Sequence, residues 1–445
     1  MASNAASSGN RWVIALAGVA VMLCLGTVYS WSLFTQSFVA GMGLSTQDTT
    51  LTFELAIFFL GIGAVIGGRW QDRVGPRTVT IVGVLLWGIG VTLAGAGTEA
   101  MGKWWLYLTY GVIGGLGNGM GYVTPVAMVT KWFPDRRGLG SGMVVMGFGF
   151  GAFVYNQIVT RLDMYRAVAK PAADFFKAKS DALKAHTAFD PTQYALPPGT
   201  FHGLMTLFII SGIVFIVVGG LCAFVLRNPP DGYTVAGAQA VATSAHSYTP
   251  SEALRTPQMY LLWLLLFLNV TAGILIISNA VPIYTELTGS TPAVAGMVYG
   301  FLAVFNALGR FFWGAVSDRL GRAMTYTVMY VIQAVIFALM AYTGGFVAVG
   351  VYFGIVLLCY GGGFGVMPSF NADFFGTKYM GQNYGVILTA WGVAGVVGPF
   401  IAAATHDATG SFHGALIPVA IMLIISAIIP FFVKKPVAEA ASAAG

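Results

Sequence analysis

A chain of 445 residues that is 57% hydrophobic and 9% charged, with a mean hydropathy of +0.78, is incompatible with the core and surface of an ordinary soluble domain. Its net charge of +6 is carried by loops between apolar runs, so it gives no ground for a nucleic-acid partner. Cys24, Cys222 and Cys359 stand far apart inside those runs, which excludes a disulfide framework and leaves no metal-ligand spacing.

Runs of about 20 apolar residues cross roughly 30 Å of hydrocarbon. Twelve are predicted, at 12–34, 51–68, 78–97, 105–127, 139–160, 203–226, 259–284, 293–316, 324–344, 347–370, 386–405 and 415–433. The segment before the first is polar and small, and no cleavage-like ending follows it, so no removable signal peptide is expected. The second span ends in Gly68-Arg69-Trp70-Gln71-Asp72-Arg73-Val74-Gly75. The fourth is dense in glycine, from Gly111 to Gly121, and closes near Pro125. A long loop, 161–200, contains an amphipathic helical run from Ala173 to His186, which Pro191, Pro197 and Pro198 end. A connector, 227–258, is rich in Pro, Gly, Ser, Ala and Thr, and Ser251–Leu254 within it predicts a short interfacial helix.

The eighth span carries Arg310 in an otherwise uncharged stretch from Pro292 to Val316. A guanidinium near mid-membrane costs about 2.5–3.5 kcal/mol on insertion scales, so it is a functional candidate by default. Asn306, four residues earlier, shares its helical face and adds an amide that donates or accepts. The rival reading is an arginine that snorkels to the nearby membrane face. The same span ends in Gly314-Ala315-Val316-Ser317-Asp318-Arg319-Leu320-Gly321-Arg322. Asp318 lies 246 positions after Asp72, and Gly314 lies 246 after Gly68. Two six-span halves follow, 1–226 and 259–445, joined by the connector. Under the same offset Arg310 maps to Ala64 and Asn306 to Leu60, so the buried charge belongs to one half only.

Basic residues of the short loops, among them Arg69, Arg77, Lys131, Arg136, Arg137, Arg227 and Arg255, collect on one side, whereas the short loops of the other hold only Lys103. Both termini are therefore expected in the cytoplasm. Glu54 and Glu286 read as solvated boundary groups, and His406 and His413 as loop or lid residues without metal spacing. No phosphate-binding or dinucleotide-binding glycine motif occurs, so neither ATP-driven transport nor any cofactor is expected. The spans also hold no constellation of nucleophile, base and metal ligand, which argues against an enzyme.

The G-x-x-x-D-R-x-G pattern in both halves of a twelve-span chain resembles the signature loop of the major facilitator superfamily. That resemblance implies an all-α membrane fold of two pseudo-symmetric six-helix bundles, a cavity between them and alternating access. It makes Asp72, Arg73, Asp318, Arg319 and Arg322 candidates for cytoplasmic gating. Tyr29-Ser30-Trp31-Ser32-Leu33-Phe34, Lys131-Trp132-Phe133-Pro134-Asp135-Arg136-Arg137-Gly138, Leu254-Arg255-Thr256-Pro257-Gln258 and Asn383-Tyr384-Gly385 are similar to motifs of the oxalate/formate antiporter family, relatives of the animal monocarboxylate transporters.

In that family the eighth-span arginine binds a carboxylate and aromatic residues of the first, fourth and tenth spans enclose it. The resemblance thus points to Arg310 and Asn306 with Tyr29, Tyr122 and Tyr360. The chain departs from the pattern at Trp391, where oxalate carriers place a lysine for a second carboxylate, and this favours a monoanion. It departs again at Asn306 and Leu33, where the animal carriers place an Asp and a Lys for proton coupling. The expectation is a monomeric inner-membrane carrier, embedded in the lipid bilayer, for a small carboxylate of the lactate, pyruvate or formate class, with protons as coupling ion. Exchange of organic anions, as of oxalate for formate, is the alternative. The short tails argue against an appended signalling domain.

Overall fold

The computed structural model describes residues 10–184, 187, 190, 196, 199–235, 246–409 and 411–436. Among them twelve helices are long and apolar enough to cross a membrane, and no strand occurs. The predicted prolines Pro191, Pro197 and Pro198 lie outside the described residues, as does the side chain of His406.

The first span is α1 (Arg11–Gly26), a 3-10 turn (Thr27–Ser30) and α2 (Trp31–Met42), so it is broken and runs beyond its predicted end. Close approach sets the break beside Gly26, where a Cβ would run into the backbone of Phe148. The second span, α3 (Thr46–Val74), opens on a capping box in which Ser45 and Asp48 satisfy each other's backbone N–H. Next comes α4 (Pro76–Met101), with proline at its first turn. The fourth span passes from α5 (Lys103–Leu106) through a π-helical stretch (Tyr107–Gly114) into α6 (Gly115–Trp132). The half ends with α7 (Arg137–Val159), α8 (Asp163–Lys184) and α9 (Thr200–Ala223). α8 is the amphipathic loop helix, starting at Asp163 rather than Ala173, and Tyr165 fixes it by donating to the Leu33 carbonyl at 3.2 Å.

The connector contains α10 (Pro250–Ala253), capped by Thr249 and Glu252. The second half holds α11 (Pro257–Ser278), α12 (Ala280–Thr288), α13 (Pro292–Leu320), α14 (Arg322–Met340), α15 (Phe346–Phe375), α16 (Met380–Thr409) and α17 (His413–Ser426). The duplication reaches the backbone: Gly75 and Gly321, which turn the chain after α3 and α13, have φ of +88° and +86°, a region where only glycine is unstrained.

The halves meet along two seams, α3 against α16 and α7 against α13. At the end of the molecule where α1 and α7 begin and α3 and α13 end, the basic face, glycines let backbones touch. A Cβ at Gly68 would overlap the Gly381 carbonyl, and one at Gly138 the Gly314 carbonyl. The outward-facing apolar side chains, such as Met297 and Phe301 on α13, each 67% exposed, present the surface that lipid covers.

Candidate functional site

About two-thirds of the way along α13, Arg310 is fully buried, and its side chain points into the protein rather than reaching a membrane face. Snorkelling is therefore not its role. Its Nε donates to Asn306 Oδ1 at 3.3 Å and its Nη1 to the Val145 carbonyl at 3.4 Å, while Nη2 has no partner. The guanidinium carbon sits 4.8 Å from the centroid of Phe364 and 5.4 Å from that of Phe148. Cation–π contacts of this kind stabilise by about 0.5–2 kcal/mol each. No carboxylate pairs with Arg310 among the described residues, so a full positive charge is held by dipoles and ring faces alone.

Around it stands a box of aromatic rings drawn from both halves. The Tyr29 hydroxyl, on the 3-10 turn of the first span, lies 3.1 Å from that of Tyr360 on α15. Trp391 on α16 packs against Phe364 at 4.7 Å, Tyr122 at 5.5 Å, Phe148 at 5.6 Å and Tyr29 at 6.1 Å. Tyr122 and Trp391 are completely buried, yet the Tyr122 hydroxyl and the Trp391 indole N–H have no hydrogen-bond partner. The Tyr384 hydroxyl stands beside that of Tyr122, which in turn stands beside the Arg310 guanidinium, so both hydroxyls cluster at the cation. A buried donor without a partner costs about 1–3 kcal/mol. Such donors gathered around one uncompensated cation have the chemistry to receive an anion with hydrogen-bond acceptors.

The structure thus brings together Arg310, Asn306, Tyr29, Tyr122 and Tyr360, the five residues expected at the site, and adds Phe148, Phe364, Trp391 and Tyr384. Nothing in a sequence with 32 phenylalanines singles out Phe148 or Phe364. Trp391 and Tyr384 stood in or near the Asn-Tyr-Gly motif and were legible as positions, though not as unsatisfied donors.

Two polar clusters close the basic face. Asp72 of α3 accepts from Gly381 N at 3.3 Å and Gln382 N at 2.9 Å, the free amides of the first turn of α16, with Lys131 at 4.0 Å. Asp318 of α13 does the same to α7, accepting from Gly138 N at 2.8 Å and Leu139 N at 2.9 Å. A carboxylate at a helix N-terminus meets both the orphan N–H groups and the positive end of the helix dipole. The second cluster is larger. Arg322 pairs with Asp318 at 2.8 Å and with Asp373 at 2.9 Å, and Asp373 pairs with Arg137 of the other half at 2.8 Å. Of the five gating candidates, Asp72, Asp318 and Arg322 sit in these clusters, whereas Arg73 and Arg319 are exposed beside them. Asp373 and Arg137 are additions. Asp373, a lone acid in the last turn of an apolar span, was the available signal.

Away from the site, Glu286 caps α17, accepting from Phe412 N at 3.2 Å and from the Ser411 hydroxyl, and His413 is exposed at the start of that helix. Glu54 is half-buried rather than solvated.

Comparison with known proteins decides the family. The family model described as Major Facilitator Superfamily matches residues 14–158 and 199–399. The chain belongs to the major facilitator superfamily. It is 29% identical to the oxalate:formate antiporter of Oxalobacter formigenes over 432 residues, covering 96% of this chain and 92% of that one. It is 25% identical to apicoplast pyruvate carrier 1 of Toxoplasma gondii, covering 85% of this chain and 81% of the carrier. Among solved structures, the fucose:proton symporter of E. coli superposes with a TM-score of 0.70 at 15% identity over 96% of this chain and the whole of the other, a likeness of fold. As a member of this superfamily the chain is a multi-pass membrane transporter of two six-helix bundles.

Proposed function

We propose that this transporter carries small monocarboxylates of the lactate, pyruvate and formate class by alternating access, with Arg310 as the carboxylate ligand. One observation carries the reading: a buried guanidinium with an unpartnered Nη2 and no counter-charge, walled by aromatic rings from both halves. The anion supplies the missing charge. Nη2 and Asn306 take the carboxylate, and the Tyr122 hydroxyl and Trp391 N–H donate to a 2-hydroxy or 2-oxo oxygen. The rings enclose a tail of one or two carbons.

The absence of a second cation at Trp391 disfavours a dianion, because enclosing an unpaired carboxylate costs several kcal/mol. That sets the chain apart from the oxalate carriers it resembles, while its similarity to a pyruvate carrier supports the monocarboxylate class. The basic face lies in the cytoplasm of a bacterial inner-membrane protein, as the concentration of Arg and Lys in its loops argues. Asp72, Asp318, Asp373, Arg137 and Arg322 then hold the cytoplasmic side shut, with Arg73 and Arg319 flanking. A monomer suffices, since both walls of the site come from one chain. Proton symport is the coupling we propose, organic-anion exchange being the second reading, supported by the 29% identity to an antiporter.

The test is counterflow. Purified protein in liposomes preloaded with unlabelled lactate is expected to accumulate labelled lactate transiently, and Arg310→Ala is expected to abolish it. Equal accumulation by both proteins would remove Arg310 from the site.

A further inference from the structure

We propose that Glu54 is a proton-binding group of the outer seam, a carboxylate while that seam is open and a neutral acid when it closes, so that external protons license closure over the bound anion. The proposal rests on the transport reading above. Residues of α3 that touch α16 include Ile57, Phe58, Gly61, Ala64, Val65 and Gly68. Glu54 continues that stripe one turn outward, because residues three, four and seven apart share a helical face. It is half-buried there and makes no hydrogen bond or ion pair among the described residues. One position earlier on α3, the Phe53 ring lies 6.4 Å from that of Tyr29. Under the repeat offset of 246 its counterpart is Gly300, so this acid, like Arg310, belongs to one half only.

Backbone-to-backbone contact along the seam loosens toward this end, while the Ile57 side chain fills it, 3.1 Å from the position a Cβ at Gly395 would take. A Cβ at Gly61 would stand 3.5 Å from Thr389 Cα and one at Gly392 3.6 Å from the Ile57 carbonyl, ordinary contact, whereas Gly68 and Gly381 touch backbone to backbone. Near Gly300 of the other half a Cβ would meet nothing within 4 Å. In the proposed closure Glu54 moves toward the turn of α16 beyond Gly395, where Trp391–Thr405 holds no ionisable residue; the next ionisable residues of α16 are His406 and Asp407, further out along the helix. Of the other ionisable groups on elements packed against α3, Tyr29 and Tyr122 line the central site, and the following, outside α16, are committed or neutral. Lys103 and Tyr107 bind Asp48 at 2.9 and 3.1 Å, and Tyr110 is packed between Trp31 and Trp87. Glu99 pairs with His202 at 3.0 Å, while Arg77 and Lys131 lie at the basic face. Enclosing a lone carboxylate is far costlier than enclosing its acid. A proton from the outer solution, taken onto the Glu54 carboxylate, removes that cost.

The experiment is lactate counterflow in proteoliposomes at an external pH raised from about 5.5 to about 8, a range in which lactate stays ionised. The wild type is expected to slow several-fold as the pH rises. Glu54→Gln, permanently neutral, is expected to run at the acidic rate throughout. Glu54→Asp keeps a carboxyl and is expected to keep a pH dependence, which covers the case of a misfolded Gln variant. A Gln variant with the wild-type dependence, an Asp variant without any, or a wild type that counterflows lactate equally at every pH overturns the proposal. Absence of lactate counterflow in the wild type at any pH overturns the transport reading itself, and this role with it.

Discussion

A guanidinium needs more than two long hydrogen bonds, two ring faces and neighbouring tyrosine hydroxyls to be comfortable in a membrane interior, and under the proposed function an anion supplies what Arg310 lacks. Its planar fork matches a carboxylate at two points, which an ammonium cannot. Arg310→Lys is therefore expected to cut lactate counterflow at least tenfold, corresponding to the roughly 1.5–3 kcal/mol of a charged hydrogen bond, at unchanged expression. An unaffected rate would mean that the positive charge alone, or neither, matters. Trp391→Phe keeps the ring and deletes the N–H. It is expected to weaken lactate about two- to tenfold while leaving acetate, which lacks the 2-oxygen, within experimental error in the same competition assay. Arg310 and Asn306 were legible because polar residues four apart in an apolar run have few other reasons to exist. The ring faces that hold the guanidinium were not, since their meeting depends on how α7, α15 and α16 cross.

At the scale of elements, helix N-termini of one half are capped by carboxylates of the other, so the seal at the basic face is made of interactions that exist only while the halves are together there. Asp318→Asn removes the charge that meets α7 and Arg322 and is expected to populate the cytoplasm-open state, read as increased labelling of a cysteine placed in the cytoplasmic mouth. Lactate affinity at the site should change far less. A large affinity loss with unaltered labelling would contradict this. Gly138→Ala, whose Cβ collides with the Gly314 backbone and comes within 2.8 Å of Asp318 Oδ1, is expected to shift labelling the same way without removing any charge. The repeat around Asp72 and Asp318 announced these turns, down to the two left-handed glycines. The break at Gly26 and the π-helical stretch at Tyr107–Gly114 were illegible, because no proline or charge marks either and both answer to contacts with distant helices.

For the whole molecule, two six-helix bundles enclose one cationic site between them, and under the proposed function its anionic cargo neutralises the pocket that binds it. The duplication made the bundles readable. It also isolated an asymmetry of polar residues, since Arg310, Asn306 and Glu54 have only Ala64, Leu60 and Gly300 as counterparts. Which seam is shut was beyond the sequence, for it depends on backbone contacts such as Gly68 with Gly381. The central claim, a site built for one carboxylate, is tested most directly by competing labelled lactate uptake with oxalate in the wild type and in Trp391→Lys. Oxalate is expected to compete poorly with the wild type, because its second carboxylate finds Trp391 where a cation is needed, and markedly better with the lysine variant. Oxalate competing as well as lactate in the wild type would contradict the single-carboxylate site and put anion exchange in its place.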